Sequence, residues 1–172
     1  IFIFINFLTF SSFANEFVGI IGAGVGEVKN QNNQKLENGS KIFYGDTIIV
    51  CSKSTAQVLF LDQTVMTLGE DSELTIDEFV YDPQTNDGKF VSNIKSGTIK
   101  IITGKISKKD PDNLEIKIPT GAIGARGTEF VVLANSKNEN TVLLLGPGPN
   151  NSLGMTPGNL EVTDGVNSVN II

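Results

Sequence analysis

The sequence has no histidine and no tryptophan, and only one cysteine, in 172 residues. Each shortage removes a class of chemistry. Without histidine there is no Ser-His-Asp triad, no Cys-His pair, no imidazole base and no histidine-ligated zinc. One cysteine excludes an internal disulfide and any CxxC site. Positive charge is also short: 13 basic residues stand against 19 acidic ones, giving a net charge of −6. That balance argues against nucleic acid as a partner. A chain of this length is one domain, or one domain with an appendage, and needs no disulfide or metal to hold a core. The absences shift the expectation from enzyme toward a binding or structural module without a cofactor.

One long uncharged run is present, at residues 1–14, which read IFIFINFLTFSSFA and hold five of the eleven phenylalanines. It falls short of the ~20 apolar residues that a membrane-spanning helix needs. It suits the apolar region of a signal peptide, with Ser12 and Ala14 as small residues before cleavage ahead of Asn15. A start methionine and a basic flank are missing, so the expected signal peptide is N-terminally truncated. The rival reading is the end of a truncated transmembrane helix. Both put the rest of the chain in the periplasm or outside the cell, with no stable membrane span in the mature part. The alternating stretch at 166–172 suggests that the chain also continues beyond Ile172.

No amphipathic helix is apparent. The apolar runs are short, rich in Val, Ile, Leu, Phe and Thr, and bounded by turn residues, which is the strand signature. Separate strands are expected at 17–21 and 24–28, at 90–94 and 98–102, and at 160–163 and 168–172, among others. Asn38-Gly39, Asp87-Gly88 and Asp164-Gly165 mark turns with positive φ. Gly45-Asp46 marks a corner or bulge. Asp62-Gln63 separates two clear strands, although Gln suits a left-handed position poorly. In Leu114-Glu-Ile-Lys-Ile118 the apolar set faces one way and the charged set the other. Residues 103–113 read as a polar loop, and 146–158 as a Gly/Pro/Asn loop or linker. The pattern predicts an all-β domain of many short, mostly antiparallel strands over 17–145. It leaves open a two-sheet sandwich or a short β-roll or solenoid. Residues 159–172 start a C-terminal hairpin or extension.

Five segments occur in a telling order: Tyr44-Gly-Asp-Thr-Ile48, Ser54-Thr-Ala-Gln-Val-Leu-Phe-Leu-Asp62, Leu74-Thr-Ile-Asp-Glu-Phe-Val-Tyr-Asp-Pro83, Ile94-Lys-Ser-Gly-Thr98, and IPTGAIGARGTEF at 118–130. The succession resembles the FecR protein domain of bacterial envelope proteins, over roughly 19–135. The family's Asp-Gly turn is Asp62-Gln63 here, and Gly121 and Ala125 stand at variable places of its signature. The resemblance implies an extracytoplasmic, non-catalytic domain with a protein partner in the envelope. Well-known relatives are inner-membrane regulators that relay an iron-uptake signal to a sigma factor. Nothing here matches their helical cytoplasmic part, and the chain looks more like the stand-alone exported members.

Arg126 is the only arginine among the 13 basic residues. Arginine is chosen where a planar fork must meet a carboxylate, so Arg126 is expected to be partly buried and paired. Asp46 is the first candidate partner, followed by Asp77 and Glu129. In this reading the pair pins a turn at 124–127; the functional reading is an anchor for an anion or a partner. Gly121, Gly124 and Gly127 read as tight turns rather than a phosphate cradle, since the spacing and the following helix are both wrong. With Pro119 and Thr128, Gly124 and Gly127 complete the structural or interaction set. Residues 82–88 loosely follow a calcium loop but miss its glycine and glutamate positions, so a turn is expected. Cys51 is expected to be a small buried residue. No motif brings catalytic carboxylates or a Ser-Lys dyad together.

The reading is therefore a non-catalytic extracytoplasmic FecR-like domain acting through protein–protein contacts in envelope sensing, signalling or scaffolding. The alternatives are a calcium- or glycan-binding surface module of a larger exported protein, or the periplasmic part of an anti-sigma-type iron-uptake regulator. The sequence does not identify a small-molecule ligand.

Overall fold

The structure is a computed structural model that describes residues 16–135, 139–147, 149–150 and 155–172. The expected signal segment at 1–14 lies outside them. The strands are β1 (Phe17–Val25), β2 (Val28–Asn30), β3 (Lys41–Phe43), β4 (Thr47–Val50), β5 (Thr55–Phe60), β6 (Val65–Leu68), β7 (Ser72–Tyr81) and β8 (Gly88–Ile102). After helix α1 (Lys105–Lys109) and a 3-10 turn (Pro111–Asn113) come β9 (Leu114–Ile118), β10 (Gly121–Arg126), β11 (Glu129–Ala134), β12 (Asn140–Leu144), β13 (Asn159–Thr163) and β14 (Ser168–Ile171). The fold is all-β.

The strands form two sheets joined through β8. Sheet I runs β3-β1-β5-β6-β8-β11-β12. Sheet II runs β2-β4-β7-β8-β9-β10-β13-β14. The early part of β8 pairs in sheet II and residues 97–102 pair in sheet I. Gly97 makes the change of direction with φ +95, and a Cβ there would lie 2.5 Å from Ser72 Cα. No other residue type tolerates both demands. Among the described residues all strand pairs are antiparallel except β8–β9, where Phe90–Asn93 runs alongside Leu114–Lys117. That parallel pair requires a crossover connection, and α1 with the 3-10 turn supplies it.

The two layers meet in one core. Phe60 of sheet I packs on Phe90 of sheet II at 4.6 Å between ring centroids, and Phe79 meets Phe90 edge-on at 5.0 Å. Ile21, Met66, Leu68, Ile99 and Phe130 face Ile48, Leu74, Ile76, Ile94 and Ile116 within the same buried cluster. Leu160 of β13 belongs to it too, so the terminal hairpin is continuous with sheet II.

Several local expectations are corrected. The break expected between 17–21 and 24–28 is absent, because paired backbone carries β1 across Gly22 and Gly24 up to Val25; the chain breaks instead at Gly26, φ +82, before β2 opens at Val28. The runs at 90–94 and 98–102 are the single strand β8. Residues 103–113 are not an irregular loop: α1 buries Ile106 and Ser107, and Lys105 N–H donates to the Asp62 carbonyl at 2.7 Å. At the 82–88 turn Asn86, not Gly88, takes positive φ (+59). There the Asp82 carboxylate accepts from Gln84 N–H at 2.8 Å and Thr85 Oγ1 at 3.0 Å. Cys51 is half-buried rather than buried.

Candidate functional site

The outer face of sheet II carries a groove of about 680 Å³ along β10. Alternation builds it. Ile123 and Ala125 are buried in the core, so Ala122, Gly124 and Arg126 face outward. Gly124 is paired with Glu115 of β9 on one side and Glu161 of β13 on the other. Asn170 of β14 lies beyond Glu161, and Asn159 stands beside Arg126. Glu115 and Glu161 are thus walls, and Gly124 is a floor without a side chain; a Cβ on it would meet nothing within 4 Å. The 3-10 turn at Pro111 and Asp112 and the turn at Gly165–Asn167 line the groove as well.

Among the described residues, Arg126, Glu115 and Glu161 form no ion pair. Lys117, next along β9, is held above its ordinary pKa. The main cause is its hydrogen bond to Asp77, and the charges of Glu115 and Glu78 add to it. The groove offers one guanidinium and three carboxylates, Asp112, Glu115 and Glu161, that form no ion pair among the described residues. No group of three or more potential metal ligands occurs among the described residues.

The expected pairing of Arg126 is corrected. The segment 121–126 is a strand, and its alternation turns Arg126 outward, where it is exposed. The three candidate carboxylates are committed elsewhere. Asp46 closes its own corner between the sheets, accepting from Phe43 N–H at 2.9 Å and Gln31 Nε2 at 3.3 Å. Asp77 pairs with Lys117 at 3.0 Å, and Glu129 with Lys100 at 2.6 Å. The expectation of three glycine turns is corrected as well. Gly121 and Gly124 lie within β10, and only Gly127 takes positive φ, +52.

The remaining predicted residues are dispersed. Pro119 opens the turn between β9 and β10. Gly127 N–H donates to Ser107 Oγ at 3.2 Å. Thr128 is buried, and its N–H donates to Thr103 Oγ1 at 2.8 Å. Sequence reasoning missed Glu115, Glu161, Asn159 and Asn170. The alternation of 114–118 already put Glu115 on the wet face, but only strand register brings Glu161 opposite it.

A second surface lies on sheet I. Strand β12 pairs with β11 on one side, and among the described residues no strand pairs with its other side. It carries no charge, like the edge strand β14, whereas the edge strands β2 and β3 hold Lys29 and Lys41. Leu133, Leu143 and Leu145 are 45%, 54% and 44% exposed beside it. No helix among the described residues is long and apolar enough to cross a membrane.

None of the curated proteins and none of the solved structures matches the chain. The profile of a family described as FecR protein matches residues 46–146, which span β4 to β12 and, within them, the Gly124–Arg126 floor of the groove. With more than half of its length matched, the chain belongs to the FecR protein family.

Proposed function

We propose that this chain is a non-catalytic, extracytoplasmic module that acts through protein–protein contact in envelope sensing, signalling or scaffolding. Membership of FecR, a regulatory family associated with the cell envelope, supports the sensing role. The observation that carries the contact mode is the bare edge of β12. Sheet edges are normally protected by lysine, proline, bulges or brevity. Residues 140–144 show none of these devices. A partner's extended segment can add a strand there, drawing affinity from main-chain hydrogen bonds and specificity from side chains against Leu133 and Leu143.

The test is site-specific photo-crosslinking from position 143 in cells that make the protein. One protein adduct is expected in the extracytoplasmic fraction, and it should disappear when Val142→Pro removes an edge N–H. Cytoplasmic residence, an adduct insensitive to Val142→Pro, or hydrolase or transferase activity in the purified protein would overturn the reading.

A further inference from the structure

We infer that the groove on sheet II is a second binding site, for an extended peptide segment carrying a basic and an acidic side chain two residues apart. It is separate from the β12 edge and goes beyond the contact mode assigned there.

The argument starts from register. Glu115 and Glu161 are the cross-strand neighbours of Gly124, so their Cα atoms lie two strand spacings apart, about 10 Å. Their side chains stand on the same face, with an empty floor between them. An ammonium or guanidinium entering over Gly124 meets a carboxylate on either side. Arg126 lies two residues farther along β10 on the same face, about 7 Å from Gly124. Side chains i and i+2 of an extended peptide are separated by that same distance. A peptide lying along β10 with a lysine over Gly124 therefore brings an acidic side chain to Arg126, where a bidentate contact is available. Asn159 and Asn170 add neutral donors and acceptors along the walls.

The charge pattern selects the ligand. Asp112, Glu115 and Glu161 against Arg126 leave the groove acidic overall, so a purely anionic segment is repelled. The one arginine of the chain is left exposed beside carboxylates, whereas among the described residues seven lysines are in ion pairs.

The probe is a fluorescein-labelled peptide, Ser-Thr-Lys-Thr-Glu-Thr-Ser, read by fluorescence anisotropy against the full chain. Saturable binding is expected. Gly124→Leu should abolish it while leaving the denaturation midpoint in place, because the added side chain enters open space. Glu115→Gln combined with Glu161→Gln should weaken binding on the order of tenfold, the scale of one modest charge contact. Arg126→Glu should reverse the preference toward Ser-Thr-Lys-Thr-Lys-Thr-Ser. Val142→Pro should leave binding unchanged, which separates this site from the β12 edge. Absence of saturable binding, undiminished binding to Gly124→Leu, or no change of preference with Arg126→Glu would overturn the proposal.

Discussion

Thr128 Oγ1 lies buried beneath Gly146, where a Cβ would come within 2.6 Å of it, and has no hydrogen-bond partner among the described residues. Gly158 closes on the same hydroxyl even more tightly. The two glycines let the chain that leaves β12 and the chain that enters β13 pass directly over the threonine. Gly158→Ala is expected to destabilise by about 1–3 kcal/mol through overpacking. Thr128→Val keeps the shape and removes the orphaned hydroxyl, so it should raise stability by about 1 kcal/mol. Urea denaturation of both variants checks the pair; a stabilised Gly158→Ala or a strongly destabilised Thr128→Val would contradict this account.

Gln63 holds φ +70 in the turn between β5 and β6. Its side chain is exposed, and its N–H is bonded to the Phe60 carbonyl at 3.0 Å. A left-handed conformation costs an L-residue with a Cβ roughly 1–2 kcal/mol, partly offset by glycine's greater freedom when unfolded. Gln63→Gly should therefore raise stability by about 0.5–1 kcal/mol. A fall in thermal midpoint would show that the side chain makes a compensating contact.

Asp62 is fully buried at the same turn, accepting from Thr64 N–H at 3.0 Å and Thr64 Oγ1 at 2.7 Å. Burial pushes its carboxyl above the ordinary range, and the Thr64 hydrogen bonds oppose that shift only in part. A raised carboxyl favours the protonated folded state. Its contribution is present at low pH and is lost as pH rises from the unfolded value of 3.8 through the folded pKa. Asp82, Asp87 and Asp164 shift the opposite way, mainly through hydrogen bonds to the carboxylate, so their contribution is lost as pH falls below that value. The stability difference between Asp62→Asn and the parent chain should move in favour of the variant between pH 4 and pH 7. Denaturation series at both pH values measure it, and a difference independent of pH would refute the assignment.

Arg126→Gln should change stability by no more than about 0.5 kcal/mol, the range for exposed side chains away from packing or ion pairs. A larger loss in guanidinium titration would mean that the arginine supports the fold after all.

Much of the fold was legible because its strands keep short-period alternation. The alternation of 114–118 predicts β9 to the residue. Gly45-Asp46 was read as a corner, and it is where the chain passes from sheet I to sheet II. The strand at 121–126 was not legible, because Gly, Ala and Gly carry little hydrophobic signal and glycine at every third place suggests turns. The environment of Arg126 was misread for the same reason. Its rarity marked it correctly as unusual, but rarity does not tell a buried pair from an exposed one. Glu161 was invisible because its pairing across β10 spans a long separation that no local pattern encodes.

Strand β8 leaves neither sheet able to come apart alone. Opening sheet I means peeling residues 97–102 from β6 and β11, while the other half of the same strand is held between β7 and β9. The backbone amides on both sides of Gly97 should thus exchange with deuterium at one common rate, set by global unfolding, while those of β12 and β14 exchange earlier. In mechanical terms β8 is the tie rod of the molecule: a load borne by the β12 edge is carried, through β11, into the strand that also supports the floor of the groove.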